Sequence, residues 1–324
     1  MKRIVFIFLL LGLTFCASAQ KGNSASELTF RPDGHFRIMQ LTDLHYTDSE
    51  QQSGHVPAML VRLIEREKPD LIVLTGDLIY STNAEKTIRH ICGVIAKQGV
   101  PYAITLGNHD AEQGLTRAQV YQIVRTLPGC INATHNPELE RQGTFLLPIK
   151  ATDGTYGAAL YIMDSNDYNA DDHSYAGINN EQVAWYMEQS EALEARCDRK
   201  VNSLVFIHIP LPEYATAFDN DPQAVGFRLE KECPGRDNHG MFAALTARGD
   251  VTGVFAGHDH SNNYIALMQG IALGYGRYSG GFGEYQDLLS GARMIELRQD
   301  RRGFTTWERL ANGRELRKTT FPKE

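Results

Sequence analysis

Residues 71–77 read Leu-Ile-Val-Leu-Thr-Gly-Asp, a continuous apolar run that ends in a glycine and a carboxylate. Such a run is typical of a strand that is buried on both faces, as in a parallel sheet covered by helices. Glycine permits a tight turn directly after the strand, so that the aspartate stays at the strand's carboxyl end. The stretch therefore predicts a covered sheet with a polar group at its edge.

Four other apolar runs are followed by polar residues in the same way. The runs and the residues that follow them are 36–41 with Asp43-Leu44-His45, 102–105 with Gly107-Asn108-His109-Asp110, 203–207 with His208, and 253–256 with Gly257-His258-Asp259-His260. In open α/β sheets, ligands bind outside the carboxyl ends of the strands, so we expect these five motifs to converge on one site.

The segments between the predicted strands have the spacing of amphipathic helices. Apolar residues recur with helical spacing in three segments, which are residues 56–64, 120–127 and 180–197. Strands that alternate with helices predict an α/β layered domain in which helices cover a sheet. Apolar and polar residues alternate on both sides of a polar turn, in residues 292–297 and 304–309. This pattern predicts an additional hairpin. Because no repeat or low-complexity linker divides the chain, we expect residues 20–324 to form one domain.

Composition and charge exclude several classes of protein. The 324 residues are 42% hydrophobic and 22% charged, which is typical of a globular protein and not of a disordered or collagen-like one. Lys and Arg number 32 against 39 Asp and Glu, which gives a formal net charge of −7. This acidic balance argues against a protein that wraps nucleic acid, and we expect no stable nucleic-acid partner.

The first residues have the pattern of a secretory signal peptide. Lys2 and Arg3 precede an uncharged, mostly apolar run at residues 4–15, and Ala17-Ser18-Ala19 supplies small residues for cleavage. A helix of that run spans roughly 18 Å, which is too short for a hydrocarbon core of about 30 Å. We therefore predict a signal peptide at residues 1–19, export to the periplasm or the medium, and no transmembrane anchor. A lipoprotein at Cys16 is disfavoured by the bulky Phe15 before it.

Export makes disulfides possible among the remaining cysteines, and four thiols allow three complete pairings. These cysteines are Cys92, Cys130, Cys197 and Cys233. Cys92 shares a helical apolar stripe with Ile88, Ile91 and Ile95, which favours a buried free thiol. Because no CxxC pair occurs, the sequence gives no support for a thiolate zinc site.

The residue types in the five motifs indicate a metal centre. Asp, His and Asn offer oxygen and imidazole nitrogen without sulfur, a donor set that suits Mn, Fe or Zn. Seven such side chains are too many for one tetrahedral ion, but they suffice for two ions that share a carboxylate. Two neighbouring ions can hold both the attacking and the leaving oxygen of a phosphoryl displacement. Two divalent ions carry +4 while two aspartates supply −2, which leaves positive charge for a hydroxide and an anionic phosphate ester.

The order of the motifs, D-x-H, G-D, G-N-H-[DE], H and G-H-x-H, resembles the calcineurin-like metallophosphoesterases over residues 36–297. Residues 208–214 and 257–283 look most like the subgroup related to purple acid phosphatases. The resemblance implies β-sandwich-like central sheets flanked by helices. It also implies hydrolysis of a small-molecule phosphate ester by a hydroxide that two metal ions make available.

The resemblance implies a role for each motif residue. One metal would be held by Asp43, His45, Asp77 and His260, and the other by Asp77, Asn108, His208 and His258. His109 matches the family's catalytic histidine, which contacts the phosphate and assists the leaving group. Asp110 would then orient or polarise His109.

Several questions stay open on the sequence alone. Purple acid phosphatases bind ferric iron with the tyrosine of a G-D-x-x-Y motif, and Tyr80 completes that motif here. The presence of His45 instead favours ligation by histidine, so we expect Tyr80 to be a packed aromatic. Arg277 is a candidate for contact with a substrate anion, with a structural ion pair as the alternative. A phosphodiesterase or nuclease would use the same ligands, and a non-catalytic binding protein on this fold is a further alternative. The physiological substrate, the metals and the oligomeric state are not indicated.

Overall fold

The computed structural model describes residues 27–132, 143–281 and 289–323. The predicted signal peptide at residues 1–19 lies outside these ranges and stays a prediction. Within them, the helices are too short or too polar for any one to cross a membrane.

The strands form two mixed sheets. In chain order they are β1 (His35–Leu41), β2 (Leu71–Thr75), β3 (Tyr102–Thr105), β4 (Phe145–Lys150), β5 (Tyr156–Ile162), β6 (Asn202–Phe206), β7 (Val251–Ala256), β8 (Ile265–Met268), β9 (Ile271–Tyr275), β10 (Gly291–Arg298), β11 (Phe304–Leu310) and β12 (Glu315–Phe321). The first sheet has the order β12-β11-β10-β1-β2-β3, and the second has the order β4-β5-β6-β7-β9-β8. Strands β1, β2 and β3 are parallel, as are β5, β6, β7 and β9. The carboxyl ends within each parallel group therefore share one sheet edge.

Helices occupy the chain between most of the parallel strands. They are α1 (Glu50–Ser53), α2 (Val56–Glu67), α3 (Ala84–Ala96), α4 (Arg117–Val124), α5 (Asn180–Cys197), α6 (Glu213–Asn220) and α7 (Met241–Arg248), with a short 3₁₀ turn at His109–Ala111. The helix predicted over residues 180–197 has these bounds, and α2 contains the predicted residues 56–64. Helix α4 ends at Val124, before Leu127, so the predicted helix over residues 120–127 was too long.

The two sheets pack face to face, and the helices cover their outer faces. In β2, Leu71 and Val73 belong to the core between the sheets, whereas Ile72 and Leu74 pack with α2, α3 and α4. The same alternation in β6 places Phe206 between the sheets and Val205 among the residues of α6 and α7. Both faces of the central strands are buried, which explains their continuous apolar runs.

The expected hairpin and the expected buried free thiol are both observed. β10 and β11 pair as an antiparallel hairpin, as their alternating pattern predicts. Cys92 is fully buried in the core around α3, and Cys92, Cys130, Cys197 and Cys233 are all free thiols. The result is a four-layered α/β fold with two central sheets, in agreement with the expected fold class.

Candidate metal centre

Five loops meet at the carboxyl ends of β1, β2, β3, β6 and β7. The Asp43 N–H donates to the Gly76 carbonyl at 3.1 Å, which joins the loops that follow β1 and β2. The Gly257 N–H donates to the His208 carbonyl at 3.0 Å and joins the loops after β7 and β6. The His258 N–H donates to the Asp43 carboxylate at 3.1 Å and thereby links the two sheets. The motifs therefore converge, as the sequence predicts.

The convergence produces two groups of ligand atoms that share one residue. Ligand atoms within each group lie within 4.8 Å of one another, and the groups are Asp43, His45, Asp77 and His260, and Asp77, His208 and His258. Asn108 adjoins the second group, because its Oδ1 lies 3.1 Å from His208 Nε2. The structure thus brings all seven candidate ligands together, with Asp77 common to both groups.

The carboxylate of Asp77 is oriented so that one oxygen faces both groups. Its Oδ1 accepts the backbone N–H of His109 at 2.9 Å. Its Oδ2 lies 3.2 Å from His208 Nε2 and 3.4 Å from His45 Nε2. A carboxylate oxygen between two imidazole nitrogens from separate groups is the arrangement that a bridging ligand requires.

Neighbouring groups fix the orientation of two further ligands. His208 Nδ1 contacts the Thr75 carbonyl at 2.8 Å, so that Nε2 is the nitrogen that faces Asp77. The Thr42 hydroxyl donates to Asp43 Oδ2 at 2.7 Å. Such partners hold a metal ligand in one rotamer and, for histidine, select the ring nitrogen that can bind a metal.

The histidines keep both aspartates ionised in spite of their burial. Burial raises the pKa of Asp77, but His208 and His45 outweigh it and hold that pKa well below its usual range. Burial likewise raises the pKa of Asp43, and His260 and His208 lower it below its ordinary value. Two buried carboxylates in their charged form are suited to binding cations.

The pKa values of the two histidines in the second group move apart. Burial opposes the charged form of His208, yet Asp77 and Asp43 raise its pKa to about 9. Burial and the neighbouring His208 lower the pKa of His258 to about 3, so that this ring is neutral. A neutral imidazole and ionised carboxylates are the forms that ligate metals, and a bound metal would displace the proton from His208.

The backbone is strained at four of the candidate ligands. Asp43, His45, Asp77 and His258 have φ values of 53°, 40°, 50° and 76°, in the left-handed region that non-glycine residues seldom adopt. Each strained residue costs of order 1–3 kcal/mol, and such strain clusters at functional sites. The packing of the surrounding loops must therefore hold these side chains in place.

Two of the motif glycines are required by close approach. A Cβ at Gly107 would lie 2.1 Å from Asp77 Oδ1, and one at Gly257 would lie 2.0 Å from Thr42 Oγ1. Real Cβ atoms essentially never come this close to another heavy atom. These two glycines therefore let the backbone of their loops approach the ligand cluster.

His109 lies beside the first group of ligands, but Asp110 does not orient it. The His109 ring centroid is 5.3 Å from that of His45, and the His109 side chain is 30% exposed. The Asp110 carboxylate instead accepts the backbone N–H groups of Asp77, Leu78 and Gly107 at 3.0, 2.7 and 2.8 Å. Burial and nearby Asp77 raise the pKa of Asp110 to about 6. The role expected for Asp110 was wrong, because this side chain turns inward to hold the loops.

Glu112 occupies the position expected of Asp110. Its Oε2 lies 2.5 Å from His109 Nδ1, and its Oε1 accepts the Tyr168 hydroxyl at 3.0 Å. Tyr168 lies on a loop between β5 and α5, for which the sequence shows no motif. Glu112 could have been found from its spacing of three residues from His109, which matches one turn of a 3₁₀ helix.

Arg277 is engaged in structural contacts. Its Nε and Nη2 donate to the Leu289 carbonyl at 2.8 and 2.5 Å, and its Nη1 lies 3.6 Å from the buried Glu308. The alternative of a structural ion pair is therefore the one observed, and contact of Arg277 with a substrate anion stays a prediction.

Tyr80 is not a packed aromatic. It is 53% exposed, and its ring centroid lies 6.1 Å from that of His45 and 5.9 Å from that of His109. This side chain therefore forms part of the rim of the site, next to His109.

Comparisons with known proteins agree with the geometry of the site. A family model described as "Calcineurin-like phosphoesterase" matches residues 36–262. An Arabidopsis thaliana protein named "Probable inactive purple acid phosphatase 29" is 31% identical, and the alignment covers 95% of this chain and 92% of that protein. "Phosphatase DCR2" of Saccharomyces cerevisiae is 26% identical over 91% of this chain and 57% of its own length.

Solved structures share the same fold at low sequence identity. A dimetal phosphatase from Danio rerio superposes with a TM-score of 0.56 at 12% identity, covering 88% of this chain and 98% of that one. A purple acid phosphatase from yellow lupin gives a TM-score of 0.56 at 13% identity, covering 88% of this chain and 53% of its own. GAP50, named as an anchor in the inner membrane complex of Plasmodium, also gives 0.56, at 12% identity and 88% coverage of both chains.

Proposed function

Because the chain belongs to the calcineurin-like phosphoesterase family, we propose that it hydrolyses phosphate esters at a centre of two metal ions. The observation that carries the proposal is the position of Asp77 Oδ2, 3.2 Å from His208 Nε2 and 3.4 Å from His45 Nε2. One buried carboxylate oxygen thus serves two sets of ligands, as a pair of closely spaced ions demands.

The seven side chains at the sheet edge fit such a centre. Asp43, His45, Asp77 and His260 would hold one ion, and Asp77, Asn108, His208 and His258 would hold the other. Their oxygen and imidazole donors suit Mn, Fe or Zn. When bound, the ions would supply Lewis acidity, which makes hydroxide available near neutral pH and neutralises the phosphate.

His109 is the residue we propose to protonate the leaving group. Its ring stands beside the first ligand group and is partly open to solvent, where an ester can reach it. As the water-derived oxygen bonds to phosphorus, the bond from phosphorus to the leaving oxygen breaks. His109 gives a proton to that oxygen, so that the products are phosphate and an alcohol.

The relatives named as inactive favour a second candidate, a non-catalytic binding protein on this fold. A descendant that had lost catalysis would be expected to lose ligands as well. This chain retains all seven candidate ligands and His109, which supports catalysis over binding alone.

Hydrolysis assays on the metal-loaded protein test the proposed function. The purified protein would be loaded with Mn, Fe or Zn, its metal content measured, and its hydrolysis followed on a panel of phosphate monoesters and diesters. We expect turnover that depends on the metal, and faster turnover of diesters would identify a phosphodiesterase or nuclease. Two bound metals with no hydrolysis of any ester in the panel would favour the binding protein.

We also propose that the protein is exported after removal of residues 1–19. The basic Lys2 and Arg3, the apolar run at residues 4–15 and the small residues before Gln20 support this proposal. Expression of the whole chain followed by amino-terminal sequencing of the exported protein should give Gln20 as the first residue. A lipid-modified Cys16 or an uncleaved cytoplasmic chain would contradict it, and Leu10→Arg, which interrupts the apolar run, should block export.

A further inference from the structure

We propose that Glu112 and Tyr168 are positioning residues that connect His109 to the metal ligand Asn108. This inference rests on the proposed function, because positioning matters only if His109 donates a proton during ester hydrolysis. The connection is a continuous series of side-chain contacts, and the sequence motifs contain neither Glu112 nor Tyr168.

The contact between Glu112 and His109 fixes the orientation of the imidazole. Glu112 Oε2 lies 2.5 Å from His109 Nδ1, which is hydrogen-bond distance. Because Nδ1 is held by Glu112, Nε2 is the nitrogen that is left to face an ester. A carboxylate on one ring nitrogen thus fixes the orientation of the ring.

The hydroxyl of Tyr168 extends the series to Asn108. It donates to Glu112 Oε1 at 3.0 Å and accepts the side-chain N–H of Asn108 at 2.9 Å. One hydroxyl has one proton to give and lone pairs to accept with, so both contacts can form together. Because the amide nitrogen of Asn108 is directed at Tyr168, its Oδ1 is the atom directed at His208 and the second ligand group.

The loop that carries Tyr168 is attached to the same ligand group. The ring of Tyr168 stacks on Tyr175 with centroids 5.6 Å apart, and Tyr175 packs edge-on against His258 at 4.3 Å. Ser165, on the same loop, accepts the backbone N–H of Ile209 at 2.8 Å, next to His208. These contacts therefore hold the hydroxyl of Tyr168 at a fixed position relative to the second ligand group.

The variant Glu112→Gln tests the link to His109. Glutamine has nearly the shape of glutamate but no charge, so it makes a weaker contact with His109 Nδ1 and holds the ring less firmly. We expect kcat on an alkyl ester, glycerol phosphate, to fall tenfold or more, within the factor of about 10²–10⁴ that a general acid contributes. On para-nitrophenyl phosphate, whose leaving group departs without a proton, kcat should change about threefold or less.

A control variant and a spectroscopic readout separate positioning from a structural role. Glu85→Gln removes a glutamate that forms an exposed ion pair with Arg89, and it should leave kcat on both esters unchanged. Nitrogen NMR of labelled histidine should show a hydrogen-bonded Nδ1 of His109 in the wild type, and this Nδ1 signal should shift in Glu112→Gln. Equal losses on both esters, or a His109 signal that does not change, would overturn the inference.

The variant Tyr168→Phe tests the link to Asn108. It keeps the ring that stacks on Tyr175 and removes the hydroxyl, so the Asn108 amide loses its acceptor and is free to rotate. Affinity for the more weakly bound metal should fall about 10–100-fold, as measured by titration calorimetry with Zn²⁺. Tyr156→Phe, at the start of β5, is the control and should bind Zn²⁺ as the wild type does. Unchanged affinity in Tyr168→Phe would contradict this part of the inference.

Failure of the proposed function can be distinguished from failure of this inference. A wild-type protein that binds two metals but hydrolyses no ester would overturn the proposed function. The NMR and metal-affinity readouts would still report whether Glu112 and Tyr168 hold His109 and Asn108.

Discussion

The Asp77 side chain is hydrogen-bonded to the backbone of His109, the residue beside which a phosphate ester is proposed to bind. Asp77 Oδ1 accepts the backbone N–H of His109 at 2.9 Å, while Oδ2 lies between His208 Nε2 and His45 Nε2. A single carboxylate therefore fixes the spacing between both ligand groups and the proposed proton donor. Loss of its charge or its position should disturb binding and catalysis together.

Replacement of the shared ligand, Asp77→Asn, should remove metal from both positions. The amide is neutral, so it cannot supply the negative charge or bridge two cations as a carboxylate does. We expect metal content to fall at both positions and activity to fall by more than about 100-fold, beyond the range for residues that only support ligands. Metal analysis of the purified variant and assays with added metal would measure this. Retention of two tightly bound metals would contradict the bridging role.

The variant His109→Ala should separate catalysis from metal binding. His109 lies outside both ligand groups, so the variant should keep its full metal content. Turnover of an alkyl phosphate should fall by about 10²–10⁴-fold, because the leaving oxygen would have no proton donor. His35→Ala is a suitable control, since His35 begins β1 at the end opposite to Asp43. Equal turnover in the wild type and His109→Ala would contradict the role of His109 as proton donor.

The variant Asp110→Ala should mainly reduce stability. In the wild type, the Asp110 carboxylate accepts the backbone N–H groups of Asp77, Leu78 and Gly107, which are buried residues. Leaving buried donors unsatisfied costs about 1–3 kcal/mol, so the free energy of unfolding should fall by at least that amount. Denaturant unfolding would measure it, and Asp300→Ala on the surface should change it by about 0.5 kcal/mol or less. Wild-type stability with altered leaving-group dependence would restore the orienting role to Asp110.

The positions of the seven candidate ligands could be predicted because each follows a buried strand. Parallel strands end at a common edge, so Asp43, Asp77 and Asn108 had to lie close together once β1, β2 and β3 were recognised. The fold was harder to predict in detail. The continuous apolar run of β2 indicates two covered faces, but it does not say that one is covered by helices and the other by a second sheet.

The local sequence pattern does not reveal the contacts that Asp110, Glu112 and Arg277 make. Asp110 directly follows His109, yet neighbouring residues in a 3₁₀ turn point in different directions, whereas residues three apart lie on one side. That geometry directs Glu112 to His109 and turns Asp110 inward. Arg277 has its buried partner Glu308 on β11, a contact between distant strands that no motif indicates.

Gly107 provides a test of how closely the loops must pack around Asp77. A methyl group at this position would lie 2.1 Å from Asp77 Oδ1 and 2.5 Å from the Asp77 backbone nitrogen, so Gly107→Ala must displace Asp77. We expect loss of metal and of activity, measured as for Asp77→Asn. Gly93→Ala is the matched control, because Gly93 lies within α3 with no atom within 4 Å of the added carbon. That variant should keep its metal and gain about 0.5–1 kcal/mol of stability, since alanine favours the helix. Normal metal binding in Gly107→Ala would show that the loops can move apart and that the position of Asp77 is not set by their packing.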